Sequence, residues 1–176
     1  MASLIMSWSK CKIEIGKTGA DDAMATSLAN IGIVNDKSTS LSSEEGDKLE
    51  AKGSGGVVVA TEEGEPTVKI TTRVKEMDFA TESSLIDASV SNEELVVKSN
   101  IVSGDYSVKV TPKNIGAIGI KARKTHVTFL PGSSEEEGHY VDVTFTIQAC
   151  ADGELYRKFR VKSSDWGGGS GSGSSN

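Results

Sequence analysis

The chain has 176 residues, enough for one domain whose single core buries about two-thirds of the unfolded surface. Hydrophobic residues make up 36% and aromatics only 5%, so the core must rely on Val and Ile, while 25% charged residues argues against wholesale disorder. A formal charge of -6 argues against a nucleic-acid grip built on general basicity, which draws on many Lys and Arg contacts to phosphate.

The first residues, MASLIMSWSKCK, show no basic segment followed by an apolar stretch of signal-peptide length. No run approaches the roughly 18 apolar residues that a membrane helix needs. A soluble chain of cytoplasmic origin, without a membrane partner, is expected. Cys11 to Ile15 reads as a short strand, and DDAMATSLANIG as a short helix or a loop. Thr67 to Lys75 alternates with Val68, Ile70 and Val74 inward. EMDFATESSLIDASV reads as the one helix, with Asp78 as N-cap, Glu82 early, and Phe79, Ile86 and Val90 on one stripe. Strands follow at Glu94 to Ile101 and at Tyr106 to Pro112, the latter with Tyr106, Val108 and Val110 inward. Between Ile118 and Phe129 the apolar parity changes from even to odd, which calls for a bulge or turn near a basic cluster. Val141 to Cys150 places Val141, Val143, Phe145, Ile147 and Ala149 on one face, and Glu154 to Lys162 is a last strand. Turn signals stand at Gly53–Gly56, Glu62–Pro66, Ser103–Asp105, Pro131–His139 and Ala151–Glu154. The pattern predicts a mainly β domain over residues 1–166, an antiparallel β-sandwich or barrel with one flanking α-helix and a long hairpin arm. The Gly/Ser-rich residues 167–176 read as a flexible tail or linker.

Catalytic chemistry is not apparent. Cys11 and Cys150 form no CxxC pair and fall on apolar faces of strand-like runs, so both are expected as buried free thiols. His126 and His139 read as rim or strand-end residues, and Glu135–Glu137 as a solvated loop. No nucleophile elbow, metalloprotease, phosphate-loop or calcium-loop pattern occurs. The expectation is a non-enzyme with no catalytic, cofactor or metal residues.

Charge distribution carries more. From Glu44 to Glu65 lie seven carboxylates (Glu44, Glu45, Asp47, Glu50, Glu62, Glu63, Glu65) against Lys48 and Lys52. From Tyr106 to Ser134 there is none, while Lys109, Lys113, Lys121, Arg123 and Lys124 occur. The two segments are either solvated faces of one domain or complementary surfaces of neighbouring copies. Val57, Val58 and Val59 do not alternate. They form either a central strand buried on both faces or one arm of a long hairpin completed by another subunit, since a bare apolar strand is an aggregation liability.

The run SLSSEEGDKLEAKGSGGVVVATEEGEPTVKITTRV resembles the central region of phage tail tube (major tail) proteins, where an acidic, glycine-punctuated hairpin precedes a long alternating strand. The likeness continues through NIVSGDYSVKVTPKNIGAIGIKARKTHVTF and SEEEGHYVDVTFTIQACADGELYRKFRVK, covering roughly Ser38 to Lys162. It implies a structural subunit of hexameric rings that stack into a hollow tube, with inner strands joined around the ring. DNA would pass without specific binding; sheath, baseplate and tail-terminator proteins would be the partners. Location would be the virion tail, after assembly in the bacterial cytoplasm. Related tubes of tail-like injection systems and bacteriocins share the fold. On this reading Val57, Val58, Val59, Lys121, Arg123 and Lys124 are the candidate subunit interface. Glu44, Glu45, Glu50, Glu62 and Glu63 are the candidate lumen-facing acids, whose repulsion would keep DNA from adhering.

The competing class is a monomeric β-sandwich binding module. It calls for exposed aromatics, and the candidates are Trp8, Trp166, Tyr140 and Tyr156. Trp8 and Trp166 stand at opposite ends of the chain, an arrangement unfavourable to a common platform.

Overall fold

The alternating segments become one long curled sheet in the computed structural model, which describes Trp8 and residues 10–166. The tail expected over 167–176 lies outside the described residues. In chain order the strands are β1 (Lys12–Lys17), β2 (Ala29–Asn30), β3 (Ile33–Val34), β4 (Ser40–Glu44), β5 (Lys48–Lys52), β6 (Val58–Glu63) and β7 (Thr67–Glu76). Helix α1 (Phe79–Leu85) follows, then β8 (Ile86–Ser91), β9 (Glu94–Val102), β10 (Asp105–Thr111), β11 (Ile118–Ser134), β12 (Gly138–Ile147) and β13 (Arg157–Arg160). A nine-stranded sheet runs β2-β1-β10-β11-β12-β7-β3, with β13 added to β11 and β4 to β7. Hairpins β5–β6 and β8–β9 each form a separate two-stranded ladder. Every pairing is antiparallel. The protein is therefore mainly β, a half-barrel with one short helix.

Curling follows from the crossing of Ala29–Val34. β2 lies on the outer edge of β1, and β3 lies on the outer edge of β7, so this short segment ties the two ends of the sheet together. The crossing needs Gly32, whose φ is +132° and whose missing Cβ would collide with the Glu76 carbonyl. The concave face holds the core: Ile13, Ile70, Val74, Val108, Val110, Ile120, Val141, Val143 and Phe145 are each at most 1% exposed. Each such side chain contributes about 1.5–3 kcal/mol on burial. The aliphatic core expected from composition is what forms.

The parity change in β11 is a bulge. Tyr106 pairs with Thr125 and Val108 with Ala122, so Arg123 and Lys124 together oppose Ser107. The freed Arg123 carbonyl accepts from the Ser107 and Thr18 hydroxyls, both at 2.8 Å. Ile120 and Ala122 before it, and Val127 and Phe129 after it, then all face inward.

Four local expectations are corrected. The helix stops at Leu85, because β-branched Ile86 pairs with Val102 and opens β8; Val90 is exposed on that strand, and Phe79 is 44% exposed. Asp78 does cap it, its carboxylate accepting from the Thr81 amide at 2.6 Å. The Pro131–His139 turn shrinks to Glu135–Glu137, since β11 and β12 stay paired out to Ser134 and Gly138. β12 ends at Ile147, so Ala149 is exposed and Cys150 is buried by the following turn, its amide donating to the Glu154 carbonyl. Cys11 precedes β1 and is half-buried, unlike the buried Cys150. DDAMATSLANIG holds one 3-10 turn, Ala20–Asp22, and is otherwise irregular up to β2.

Candidate assembly surfaces

Hairpin β5–β6 buries nothing: every residue of both strands is exposed. Its base is pinched where Gly46 and Gly64 pass too closely for a side chain, and the Gly64 amide donates to the Asp47 carbonyl at 2.8 Å. Ala51 pairs with Ala60 and Lys52 with Val58, which leaves Val59 over as a bulge. That extra residue is the physical reason the three valines do not alternate. Val57, Val58 and Val59 are 66%, 43% and 68% exposed. The reading of this run as a central strand buried on both faces is thereby overturned; it is an arm.

The acidic residues decorate the same arm and the end of β4 that leads into it. Glu44, Glu45, Glu50, Glu62 and Glu63 are all exposed. Glu44 pairs with Lys69 at 2.9 Å, Glu45 and Glu63 share Lys48, and Glu50 reaches Lys52 at 3.8 Å. Seven carboxylates against two lysines leave the arm from Glu44 to Glu65 net negative by five.

The basic cluster is engaged within the chain. The bulge in β11 sends Arg123 to Asp152, with a hydrogen bond of 2.6 Å, and on to Glu154 at 3.4 Å. Lys124 meets Asp22 at 3.0 Å. These cations hold the Asp152 and Asp22 carboxyls below the ordinary carboxylate range, chiefly by hydrogen bonding. Lys121 lies 4.9 Å above the Phe159 ring. The three cations thus brace β11 against β13 and the loops beside it, within the nine-stranded sheet, whereas Val57–Val59 belong to the separate β5–β6 hairpin.

A second exposed apolar surface, unnoticed in the sequence, lies on hairpin β8–β9, whose base is buried at Ile86 and Val102. On β8–β9, Val90, Val96, Val97 and Ile101 are 48%, 50%, 44% and 77% exposed. The signal was present: Val96–Val97 breaks alternation as Val57–Val59 does.

Trp8 and Trp166 are brought together. The indole N–H of Trp8 donates to the Ile118 carbonyl and that of Trp166 to the Pro112 carbonyl, both at 2.7 Å. Lys12 and Lys109 hold the neighbouring Asp165 through its carbonyl and carboxylate. With Cys11, Val34, Thr39 and the Asn35–Lys37 turn, the two indoles line a cleft of about 280 Å³. The expectation of an arrangement unfavourable to a common platform is corrected: the curled sheet brings Trp8 and Trp166 onto one rim. Burial pushes the Cys11 thiol up to about 11, so it is a neutral wall at physiological pH. Tyr140 lies elsewhere, under Arg73 at 4.0 Å, and Tyr156 packs partly against the core.

The histidines stand apart from one another. His126 is exposed on β11, and His139 Nδ1 lies 2.9 Å from the Ser133 hydroxyl. Glu137 is drawn from its loop to Arg73 at 2.6 Å. Among the described residues no group of three or more His, Cys, Asp or Glu is placed to hold a metal ion, and no helix is long and apolar enough to cross a membrane. No protein-family model and no curated protein matches the chain.

Proposed function

We propose that the chain is a structural, non-enzymatic subunit that assembles into stacked hexameric rings forming a hollow tail tube, a conduit through which DNA passes without specific binding. The observation that carries this reading is the β5–β6 arm. It exposes three consecutive valines beside a net negative stem and packs on nothing in its own chain. A lone two-stranded hairpin is marginal in water. Contact with a neighbouring copy would supply the missing burial, and repetition round a ring would multiply each small contact. The overall charge of -6 suits a conduit that must not retain phosphate. In a virion the tube would meet sheath, baseplate and terminator proteins. A tail-like injection system or bacteriocin would use the same subunit with another cargo.

A second reading is favoured by one observation, the paired indoles of the Trp8–Trp166 cleft, which suit a monomeric module that stacks a small ligand. Negative-stain microscopy with light scattering separates the two. Rings or tubes are the expected outcome at high concentration. A particle of 18.5 kDa at every concentration, with tryptophan emission that shifts on adding sugars, would overturn the tube reading in favour of the module.

A further inference from the structure

We propose that the Trp8–Trp166 cleft is the socket for the β5–β6 arm of a second copy of this chain. The inference rests on the assembly reading and names the partner surface that reading lacks. The arm is a knob whose exposed side chains are branched aliphatics, Val57 and Val59 at its end. The cleft is the matching hole. A cavity near 150 Å³ accepts a benzene-sized group, so 280 Å³ takes about two valine side chains. Its walls are already fixed, because both indole N–H groups are committed to backbone carbonyls and the rings need not reorder on binding.

Charge agrees with shape. Lys10 and Lys37 stand on the rim beside Asp36, all three exposed and without an ion pair among the described residues, which leaves the rim net positive by one. Both lysines also hold left-handed backbone conformations, φ +51° and +57°, which lysine does not favour. On the arm, Asp47, Glu62 and Glu65 have no ion pair among the described residues. The net positive rim of a socket and the net negative stem of an incoming arm therefore complement one another. By contrast, Arg123 and Lys124 are already matched with acids of their own chain. Because knob and socket are different surfaces, each copy offers one of each. Such head-to-tail contacts propagate into rings or filaments instead of stopping at a dimer.

The chain's only two tryptophans both line the socket, so tryptophan emission reports its occupancy directly. On assembly the emission should shift to the blue and become shielded from acrylamide. Val57→Ser with Val59→Ser should raise the concentration for half-assembly at least tenfold while the free subunit keeps its circular dichroism. Cys11 on the socket wall allows a second readout. In a Val57→Cys variant at pH 9, diamide should accept two electrons and two protons as a disulfide forms between Cys11 of one copy and position 57 of the next. The product should be a covalent ladder longer than a dimer, identified by peptide mapping. Tubes or rings with unmoved tryptophan emission and no 11–57 linkage would overturn the socket and leave the tube reading standing. An 11–57 linkage confined to monomers would overturn it by placing the arm in its own cleft. A ladder formed without hollow tubes would support the socket and end the tube reading. Persistent monomers would end both.

Discussion

β12 and β6 are built from the same kind of residue and meet opposite fates. β12 is rich in Val, Thr and Phe; it lies between β11 and β7, and from Val141 to Ile147 its residues at every second position are buried to 6% or less. β6 begins with Val, Val, Ala and Thr, has one neighbour, and leaves every residue exposed. Strand-forming chemistry is therefore common to both, and burial is decided by alternation and by edges. A strand whose apolar residues keep period two can present them to one core. A bulge in β6 breaks that period, so its valines cannot serve a single face of their own subunit. The difference separates residues that fold the subunit from residues available to join subunits.

The sharpest break in the comparison comes from the buried side. Phe145 is 0% exposed at the centre of β12, and Phe145→Ala should cost about 3–5 kcal/mol through lost burial and the cavity left behind. Urea denaturation followed by circular dichroism measures it. A cost below about 1 kcal/mol would mean that the core does not centre on β12.

Smaller is the effect at the rim of the same sheet. Arg73 on β7 makes two hydrogen bonds to Asp142 on β12, at 2.7 and 2.9 Å, and stacks on Tyr140. Gly132 makes room for that ring, since a Cβ there would press on it. Asp142→Asn should cost about 0.5–1 kcal/mol at neutral pH, as exposed pairs do. Hydrogen bonding to Arg73 holds the Asp142 carboxyl below 3.8. Its contribution is therefore present above the ordinary aspartate range and is lost as pH falls through the depressed folded value. Wild type and variant should converge in that acid window, and a gap that persists below it would remove the ion pair as the cause.

The sheet was legible because period-two alternation is a direct consequence of strand geometry. The inward sets of β7, β10 and β12 follow residue by residue from Val68 to Ile147. Even the β11 bulge was legible as a change of parity. The helix end was not, because Phe79, Ile86 and Val90 satisfy a helical spacing while Ile86 is claimed by its tertiary partner Val102. The Trp cleft was not legible either. Trp8 and Trp166 meet because β1 pairs with β10 and β13 with β11, which sets both indoles by the carbonyls of Ile118 and Pro112, and no local pattern encodes those distant pairings. The partners of Arg123 and Lys124 were hidden for the same reason, since Asp152 and Asp22 are brought to the bulge by distant turns.

A still smaller effect is expected where the buried side holds a charge. Glu82 on α1 is 6% exposed, and burial raises its carboxyl above the ordinary value, opposed by His139. At neutral pH the ionised group is held against its desolvation cost, so Glu82→Gln should stabilise the subunit slightly, within about 0.5 kcal/mol. Wild type should gain relative to the variant as pH falls through the raised folded value, because protonation removes that cost. A variant that melts lower than wild type at pH 7 would show that the carboxylate makes a needed contact.

The smallest effect on folding belongs to the arm, and there it is most informative. Val58 is 43% exposed on a hairpin that touches no core, so Val58→Asp should leave the subunit's unfolding midpoint within about 0.5 kcal/mol of wild type. Assembly should respond differently. An aspartate carried into a contact with no partner costs several kcal/mol, which raises the concentration for half-assembly by about a hundredfold or more. Both quantities come from one sample, circular dichroism giving the fold and light scattering the assembly. Lost β-sheet signal would return Val58 to the subunit core and erase the contrast between β12 and β6. Unchanged folding with unchanged assembly would leave the arm bare in the finished structure, and the valines would then need another occupant. Intact subunits that no longer associate are the expected result, because the residues that break alternation are those the fold itself leaves uncovered.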